Sequence, residues 1–280
     1  MSIAAVDLPR RLSPRLLSRV QSAMGKDGAV VLTRLFPPAL LSALRAEVLR
    51  RHRSGELRRR GLVRDIAGRC TAVLPFSGPF LDERLYAQPG LLAVLGALLG
   101  ADFRIGSLEA VIALPGAYEQ HLHADGPLRF DRVLGRRAKG FAGDLSRLPP
   151  YAVTLCVPLC DLTEDNGPTA LYPGSHRAAL RARVPNEASL KRRFKAQAMT
   201  GPLGDCFLFD YRLFHCGLPN FSREPRPILM LVFTRAWFRD PNLADVHPGL
   251  VIARKDLAKV PARLRPLFAL APAARRALWD

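Results

Sequence analysis

His123-Ala124-Asp125 places an imidazole and a carboxylate two residues apart, and a second imidazole, His215, follows far downstream. If residues 121–125 form a strand, His123 and Asp125 project from the same face of it. A neighbouring strand that carries His215 then completes a set of two histidines and one carboxylate on one side of a metal. Such a facial triad leaves open positions on an iron(II) ion. These three residues therefore predict a non-haem iron site.

A second feature, Arg226, follows His215 by 226 − 215 = 11 residues. The apolar run 206–209 precedes this pair and the apolar run 227–233 follows it. Such runs are typical of buried strands, so a rigid element would aim Arg226. Its planar guanidinium can clamp a carboxylate through two parallel hydrogen bonds. We therefore interpret the chain as an oxygenase with an organic acid cosubstrate, with a surface salt bridge as the alternative role of Arg226.

Three segments carry a resemblance to a known family. They are DGAVVL at residues 27–32, DNGPTALYPGSH at 165–176 and HCGLPNFSREPR at 215–226. Together they resemble the phytanoyl-CoA dioxygenase family, over about residues 20 to 240. The resemblance is specific for the family and not for a substrate, because its members oxidise acyl thioesters, amino acids and other metabolites.

The resemblance implies a mainly β fold with flanking helices, a double-stranded β-helix (a cupin-like jelly-roll). It also implies iron(II) bound by the triad, 2-oxoglutarate bound by Arg226, and oxygen as the oxidant, with release of succinate and CO2. Relatives that halogenate replace the carboxylate ligand with a small residue, so Asp125 favours hydroxylation. The resemblance further places a residue beside the cosubstrate on the strand before the Asn-Gly segment. Counting back from Gly167 puts Cys156 near this place and Thr154 competes closely with it, so both stay open, with Thr154 taken as the cosubstrate residue.

The length of 280 residues fits one domain spanning 1–280, because jelly-rolls often reach this size. We expect a helical N-terminal arm over about residues 1–25 and a helical C-terminal tail over about 241–280. Hydrophobic residues make up 49% of the chain and charged residues 24%, which is typical of a soluble globular protein.

Basic residues dominate the charge, which is formally +18 at pH 7. Such a field attracts anions, so we expect a small or carrier-tethered anionic organic substrate. The alternative is a solvated basic surface without a role in binding. The basic clusters are interleaved with few aromatic side chains, which disfavours a surface that stacks nucleic-acid bases. The clusters lie at 50–53, 58–60, 136–139 and 191–193.

The five cysteines form no Cys-x-x-Cys pair and are odd in number, which indicates a reducing cytoplasm rather than a disulfide framework. The longest apolar stretch, residues 91–101, is shorter than the ~20 residues that span a bilayer. We therefore expect a cytoplasmic protein without a membrane span, and the sequence leaves its oligomeric state open.

Two residues beside the triad, Gln120 and His121, are candidates for contact with the substrate. His121 shares its two-residue spacing with His123, so a zinc pair is an alternative, although zinc needs further ligands. His176 is interpreted as a structural turn residue. The long basic segment 126–150 follows the first two ligands, and we interpret it as a gate over the site, with plain disorder as the alternative.

Two other functions compete with a small-molecule hydroxylase. The net charge is compatible with an oxidative nucleic-acid demethylase of the same superfamily. From a different class, a catalytically silent jelly-roll would bind without turnover, but such a protein has no need of all three metal ligands.

Overall fold

The computed structural model describes residues 2–59, 63–126, 148–177, 186–239 and 249–271. Most of the predicted gate at 126–150 therefore lies outside the described residues. Parts of the predicted C-terminal tail, at 241–248 and 272–280, do so as well.

Two sheets form the body of the molecule, which confirms the mainly β jelly-roll fold. The larger sheet has eight strands in the order β1-β2-β9-β6-β11-β5-β4-β3, and the smaller has three in the order β10-β7-β8. Neighbouring strands are antiparallel except β1 and β2, which are parallel. The strands are β1 (Ala5–Asp7), β2 (Ala29–Thr33), β3 (Val63–Ile66), β4 (Arg69–Val73), β5 (Arg104–Ala113), β6 (Ala152–Pro158), β7 (Thr169–Leu171), β8 (Gln197–Ala198), β9 (Cys206–Asp210), β10 (His215–Gly217) and β11 (Arg226–Thr234).

Alternation along β6 shows how the larger sheet serves two cores. Leu155 packs into a large apolar cluster with leucines of the helices, and Cys156 packs into a smaller cluster with Leu171 of the smaller sheet. Successive side chains of a strand point to opposite faces. One face of the larger sheet therefore packs on helices and the other faces the smaller sheet, where the predicted site residues lie.

Helices cover the outer face of the larger sheet. Helix α2 presents Leu41, Leu44 and Val48 to the large cluster, at the spacing expected for one helical face. Fully burying each such side chain contributes roughly 1.5–3 kcal/mol. The helices are α1 (Pro14–Asp27), α2 (Pro38–Arg53), α3 (Glu56–Arg59), α4 (Glu83–Tyr86), α5 (Pro89–Leu99) and two further segments, Glu187–Arg193 and Arg254–Leu257.

The N-terminal arm is helical in only part of its length. Helix α1 begins at Pro14, where Ser13 Oγ accepts the Leu16 N–H, and Gly28 (φ 75°) follows its end. Residues Ala5–Asp7 instead form β1 and extend the edge of the larger sheet by pairing with β2. The prediction of helix missed this strand because three residues gain regular structure only through a distant partner.

The C-terminal segment packs onto the helical side of the molecule. A 3₁₀ helix over Ala262–Phe268 places the ring of Phe268 edge-on to Phe76 and Tyr86, with ring centroids 5.0 and 5.3 Å away. Among the described residues no helix is long and apolar enough to cross a membrane.

Candidate active site

The first two predicted ligands lie on an extended loop rather than on a strand. His123 forms an isolated antiparallel bridge with His215 of β10, and each backbone N–H donates to the other residue's carbonyl, at 3.1 and 2.8 Å. The predicted strand at 121–125 is therefore wrong in extent, because only His123 finds a backbone partner.

The three predicted ligands converge at this bridge. His215 Nε2 lies 3.6 Å and His123 Nε2 4.0 Å from Asp125 Oδ1. One potential ligand atom from each residue lies within 4.8 Å of the other two. Two imidazole nitrogens and a carboxylate oxygen on one side of a point form the donor set of a facial non-haem iron site.

The imidazoles are oriented by their other ring nitrogens. His123 Nδ1 lies 2.9 Å from the His121 carbonyl and His215 Nδ1 lies 3.0 Å from the Leu213 carbonyl. A carbonyl only accepts, so each Nδ1 carries the proton and each Nε2 keeps a lone pair for a metal. Burial, and next the neighbouring His215 ring, lower the pKa of His123, which favours the neutral form that ligates.

Arg226 begins β11 and is only 2% exposed. Its Nη2 donates to the Gly167 carbonyl at 2.5 Å, whereas Nε and Nη1 have no hydrogen-bond partner. Burial lowers the pKa of Arg226 to about 10, so it stays charged at neutral pH. Within the described ranges no carboxylate pairs with it. A buried cation with two unused donors fits a ligand carboxylate, because an unpaired buried charge is costly.

Thr154 and Cys156 both point from β6 toward the smaller sheet, but their surroundings differ. Thr154 lines the cavity at the site, and its Oγ1 donates to Asp125 Oδ2 at 3.4 Å. Cys156 is fully buried in the apolar cluster between the sheets, and burial raises the pKa of its thiol. The cavity-facing position on this strand therefore belongs to Thr154.

One cavity of about 420 Å³, hereafter the central cavity, joins these residues. Gln120 and His121, the two candidates for contact with the substrate, both line it. Gln120 Oε1 accepts the Gly217 N–H at 3.0 Å, which leaves its amide nitrogen available to a ligand. The ring of His121 lies 5.2 Å from that of His123, yet His121 joins no group of three potential ligands in the described part of the chain.

Four ionisable residues that line the central cavity were not predicted, namely Arg64, Arg69, Glu109 and Tyr211. Arg69 is fully buried, and its Nη1 and Nη2 donate to the carbonyls of Ala67, Tyr118 and Leu218, while Nε has no partner. An isolated arginine in a Gly-rich stretch gives no signal of this position.

His176 lies away from this cavity's lining and is 4% exposed. Burial lowers its pKa, as expected for a neutral structural imidazole. Its Nδ1 faces Gly28, where an added Cβ would come within 2.5 Å of that atom. His176 therefore packs the Pro-Gly-Ser-His turn against the end of α1.

Comparison with known proteins identifies the family. The family described as phytanoyl-CoA dioxygenase (PhyH) matches residues 24–228, nearly three quarters of the chain. The chain belongs to the phytanoyl-CoA dioxygenase family. It is thus a non-haem dioxygenase that uses iron(II), 2-oxoglutarate and oxygen, as the resemblance implied.

Curated relatives of this dioxygenase include bacterial and fungal enzymes. L-proline trans-4-hydroxylase of Streptomyces griseoviridis is 26% identical over 203 residues, which cover 64% of this chain and 71% of that protein. Dioxygenase af480 of Aspergillus fumigatus is 28% identical, over 66% of this chain and 54% of its own length. The chain thus spans about half of the fungal enzyme.

Solved structures share the fold. EctD from S. alaskensis, crystallised with 2-oxoglutarate and 5-hydroxyectoine, has a TM-score of 0.62 at 24% identity, and the match covers 80% of this chain and 76% of EctD. The epimerase SnoN, in complex with Fe3+, alpha ketoglutarate and nogalamycin RO, has a TM-score of 0.63 at 19% identity, over 84% of this chain and 90% of SnoN.

Proposed function

We propose that His123, Asp125 and His215 bind the iron(II) of this dioxygenase, and that Arg226 binds the distal carboxylate of 2-oxoglutarate. The observation that carries the proposal is that three convergent ligands and a buried, partly unpartnered cation line the same cavity. When bound, the metal and cosubstrate supply the oxidising chemistry. The protein orients the ligands, holds the cosubstrate and keeps water from the reacting atoms.

Hydroxylation is the proposed outcome, with release of succinate and CO2. Asp125 supports it, because a carboxylate fills the coordination place that a halide needs in halogenating relatives. Thr154 is proposed to contact the cosubstrate near the metal, since its hydroxyl already lies 3.4 Å from Asp125. Arg226 would then hold the opposite end.

The proposed substrate is a small organic acid or amino acid. The cavity volume of about 420 Å³ suits a small molecule. Arg64 is exposed on the β3 wall and forms no ion pair with the described residues, so it offers a carboxylate or phosphate partner. Glu109, which accepts a hydrogen bond from Ser107 at 3.3 Å, adds an acidic group for an amine. Gln120 and His121 complete the polar wall.

A relative that hydroxylates L-proline supports this substrate class, because its name specifies an amino acid. A phosphate-bearing carrier remains compatible with Arg64 at the cavity mouth. The nucleic-acid demethylase alternative rests on the net charge of +18 alone. All five cysteines are free thiols, which supports the proposal of a reducing, cytoplasmic location.

Succinate formation with added iron(II) and 2-oxoglutarate tests the metal assignment even before the substrate is known. Asp125→Ala and His215→Ala are each expected to abolish most of the metal-dependent succinate formed by the unaltered chain, because each removes one of three ligands. His52→Ala is the matched control, since His52 lies on α2 outside the cavity lining. Full succinate production by both ligand variants would show that the metal binds elsewhere.

A further inference from the structure

A tight turn, residues 210–213, connects β9 to β10 and contacts both ligand-bearing segments. The Leu213 N–H donates to the Asp210 carbonyl at 2.8 Å and closes the turn. The Leu213 carbonyl then lies 3.0 Å from His215 Nδ1 and fixes the ring of this ligand. The orientation of His215 therefore depends on the shape of the 210–213 turn.

The same turn also supports the segment that carries Asp125. The Gly126 N–H, one residue after this ligand, donates to the Tyr211 carbonyl at 2.6 Å. Gly126 has no room for a side chain, because an added Cβ would lie 2.7 Å from the Tyr151 hydroxyl and 3.1 Å from the Tyr211 carbonyl oxygen. The backbone carbonyls of Tyr211 and Leu213 thus fix Asp125 and His215 relative to each other.

A buried ion pair shapes this turn. Arg212 donates from Nε to Asp210 Oδ1 at 2.7 Å and from Nη2 to Asp210 Oδ2 at 2.6 Å, and both side chains are almost fully buried. The Arg212 backbone N–H also donates to Asp210 Oδ1 at 2.9 Å. The third nitrogen, Nη1, donates to the Leu148 carbonyl at 3.0 Å. Each of the three guanidinium nitrogens of Arg212 therefore has a partner within the protein.

We propose that Asp210 and Arg212 are positioning residues for the metal centre, which rests on the proposed function of His123, Asp125 and His215. The pair holds the turn so that its two carbonyls aim a histidine and a carboxylate at one point. Groups that orient metal ligands contribute to affinity without touching the metal, and their loss typically weakens metal binding by roughly 10–100-fold. Gly126 and Leu148, the residues on either side of the 127–147 segment, both form hydrogen bonds with this turn.

Metal affinity, measured apart from turnover, tests the proposal. Cobalt(II) serves as the probe, and its dissociation constant and visible absorption spectrum are recorded for the unaltered chain and for Asp210→Asn and Arg212→Lys. Asp210→Asn keeps the shape but loses the charge, and we expect its cobalt(II) Kd to rise by about 10–100-fold with an altered spectrum. Arg212→Lys keeps the charge but loses the fork, and a smaller rise is expected.

A remote ion pair provides the matched control. Arg51 of α2 is nearly as buried as Arg212 and pairs with Glu47 at 2.6 Å, but it lies outside the central cavity. Arg51→Lys is expected to lower the unfolding temperature and to leave cobalt(II) binding unchanged. If Arg212→Lys behaves in the same way, the pair is structural and the proposal is overturned.

Two further outcomes separate this proposal from the metal assignment. If His215→Ala leaves cobalt(II) binding intact, the assignment of the ligands fails, and the positioning role fails with it. If His215→Ala abolishes binding while folded Asp210→Asn and Arg212→Lys bind cobalt(II) normally, only the positioning role fails. Should Asp210→Asn not fold, the Kd and spectrum of Arg212→Lys decide between the two results.

Discussion

At the scale of single residues, the site is defined by atoms that the fold leaves unused. Arg226 keeps Nε and Nη1 without partners although it is 2% exposed, and the Nε2 atoms of His123 and His215 point at Asp125. Protein interiors usually satisfy buried polar groups. Such unused donors and lone pairs, gathered in one cavity, therefore mark where ligands belong.

Arg226 gives the clearest prediction at this scale. Arg226→Ala removes one partner of a desolvated charge pair, which costs on the order of 2–5 kcal/mol. This corresponds to a rise of about 30-fold or more in the Kd of 2-oxoglutarate. Arg226→Lys keeps the charge but loses the planar fork, so its Kd for 2-oxoglutarate is expected to lie between those of the unaltered chain and of Arg226→Ala. Calorimetric titration of 2-oxoglutarate into the cobalt(II)-loaded protein measures the effect.

The control for this titration is Arg223→Ala, because Arg223 is exposed and precedes Arg226 by three residues. It is expected to bind 2-oxoglutarate as the unaltered chain does. An unchanged Kd in Arg226→Ala would instead place the cosubstrate against another cation of the cavity, with Arg69 as the next candidate.

At the scale of elements, the local sequence pointed to the candidate metal ligands and Arg226 but not to other residues of the cavity wall, such as Arg69. His123, Asp125, His215 and Arg226 stand in short motifs beside apolar runs, so the local sequence indicated that they would meet in one cavity. Arg69 enters the site only through register: it pairs across β4 and β5 with Ala113, whose other neighbour is Arg226. Register between distant strands is set by the assembled sheet, and a Gly-rich stretch such as 54–88 carries no periodicity from which to infer it.

The same distinction explains the errors in secondary structure. Helices α2 and α5 were predictable because their apolar periodicity and N-terminal prolines are local. Strand β1 and the single bridge at His123 depend on partners elsewhere in the chain, Val31 to Thr33 and His215. The turn at 210–213, which connects the two halves of the triad, was likewise invisible until both halves were in place.

Strand β10 yields a prediction about close packing. A Cβ added to Gly217 would lie 2.6 Å from Arg69 Nε and 2.7 Å from Gln120 Oε1. Gly217→Ala is therefore expected to displace these side chains from the cavity wall, to weaken substrate-dependent turnover and to lower stability by about 1–3 kcal/mol. Chemical denaturation and succinate assays measure the two effects.

Gly96→Ala is the control, because nothing lies within 4 Å of the added Cβ and Gly96 stands inside α5. A helix-interior alanine is expected to raise stability by about 0.5–1 kcal/mol and to leave turnover unchanged. If Gly217→Ala and Gly96→Ala have the same stability and turnover, the side chains around Gly217 make room for the added methyl group at no cost, and the close-packing prediction is wrong.

At the scale of the whole molecule, the charge of +18 surrounds a cavity whose own walls carry both signs. Many arginines are occupied within the fold, as in the pairs Arg58–Asp65, Arg84–Asp82 and Arg263–Glu83. These exposed pairs contribute little to stability, because water and salt screen them. The remaining positive field acts at longer range, on molecules that approach the protein.

Salt dependence therefore distinguishes the possible substrates. Exposed charges are screened beyond about 10 Å at 0.1 M ionic strength, so steering of a small anion should weaken moderately as salt rises. A neutral substrate would show almost no change, whereas nucleic acid would show a steep logarithmic slope set by the phosphates contacted. We expect the moderate dependence in kcat/KM, and we expect Arg64→Gln to reduce it, because Arg64 lines the cavity mouth without an ion-pair partner among the described residues.

Arg104→Gln is the control, since Arg104 lies outside the cavity lining and its guanidinium is held by backbone carbonyls. Sub-micromolar binding of DNA or RNA at physiological salt, with oxidative demethylation of a modified base, would contradict a small organic acid substrate and favour the demethylase instead.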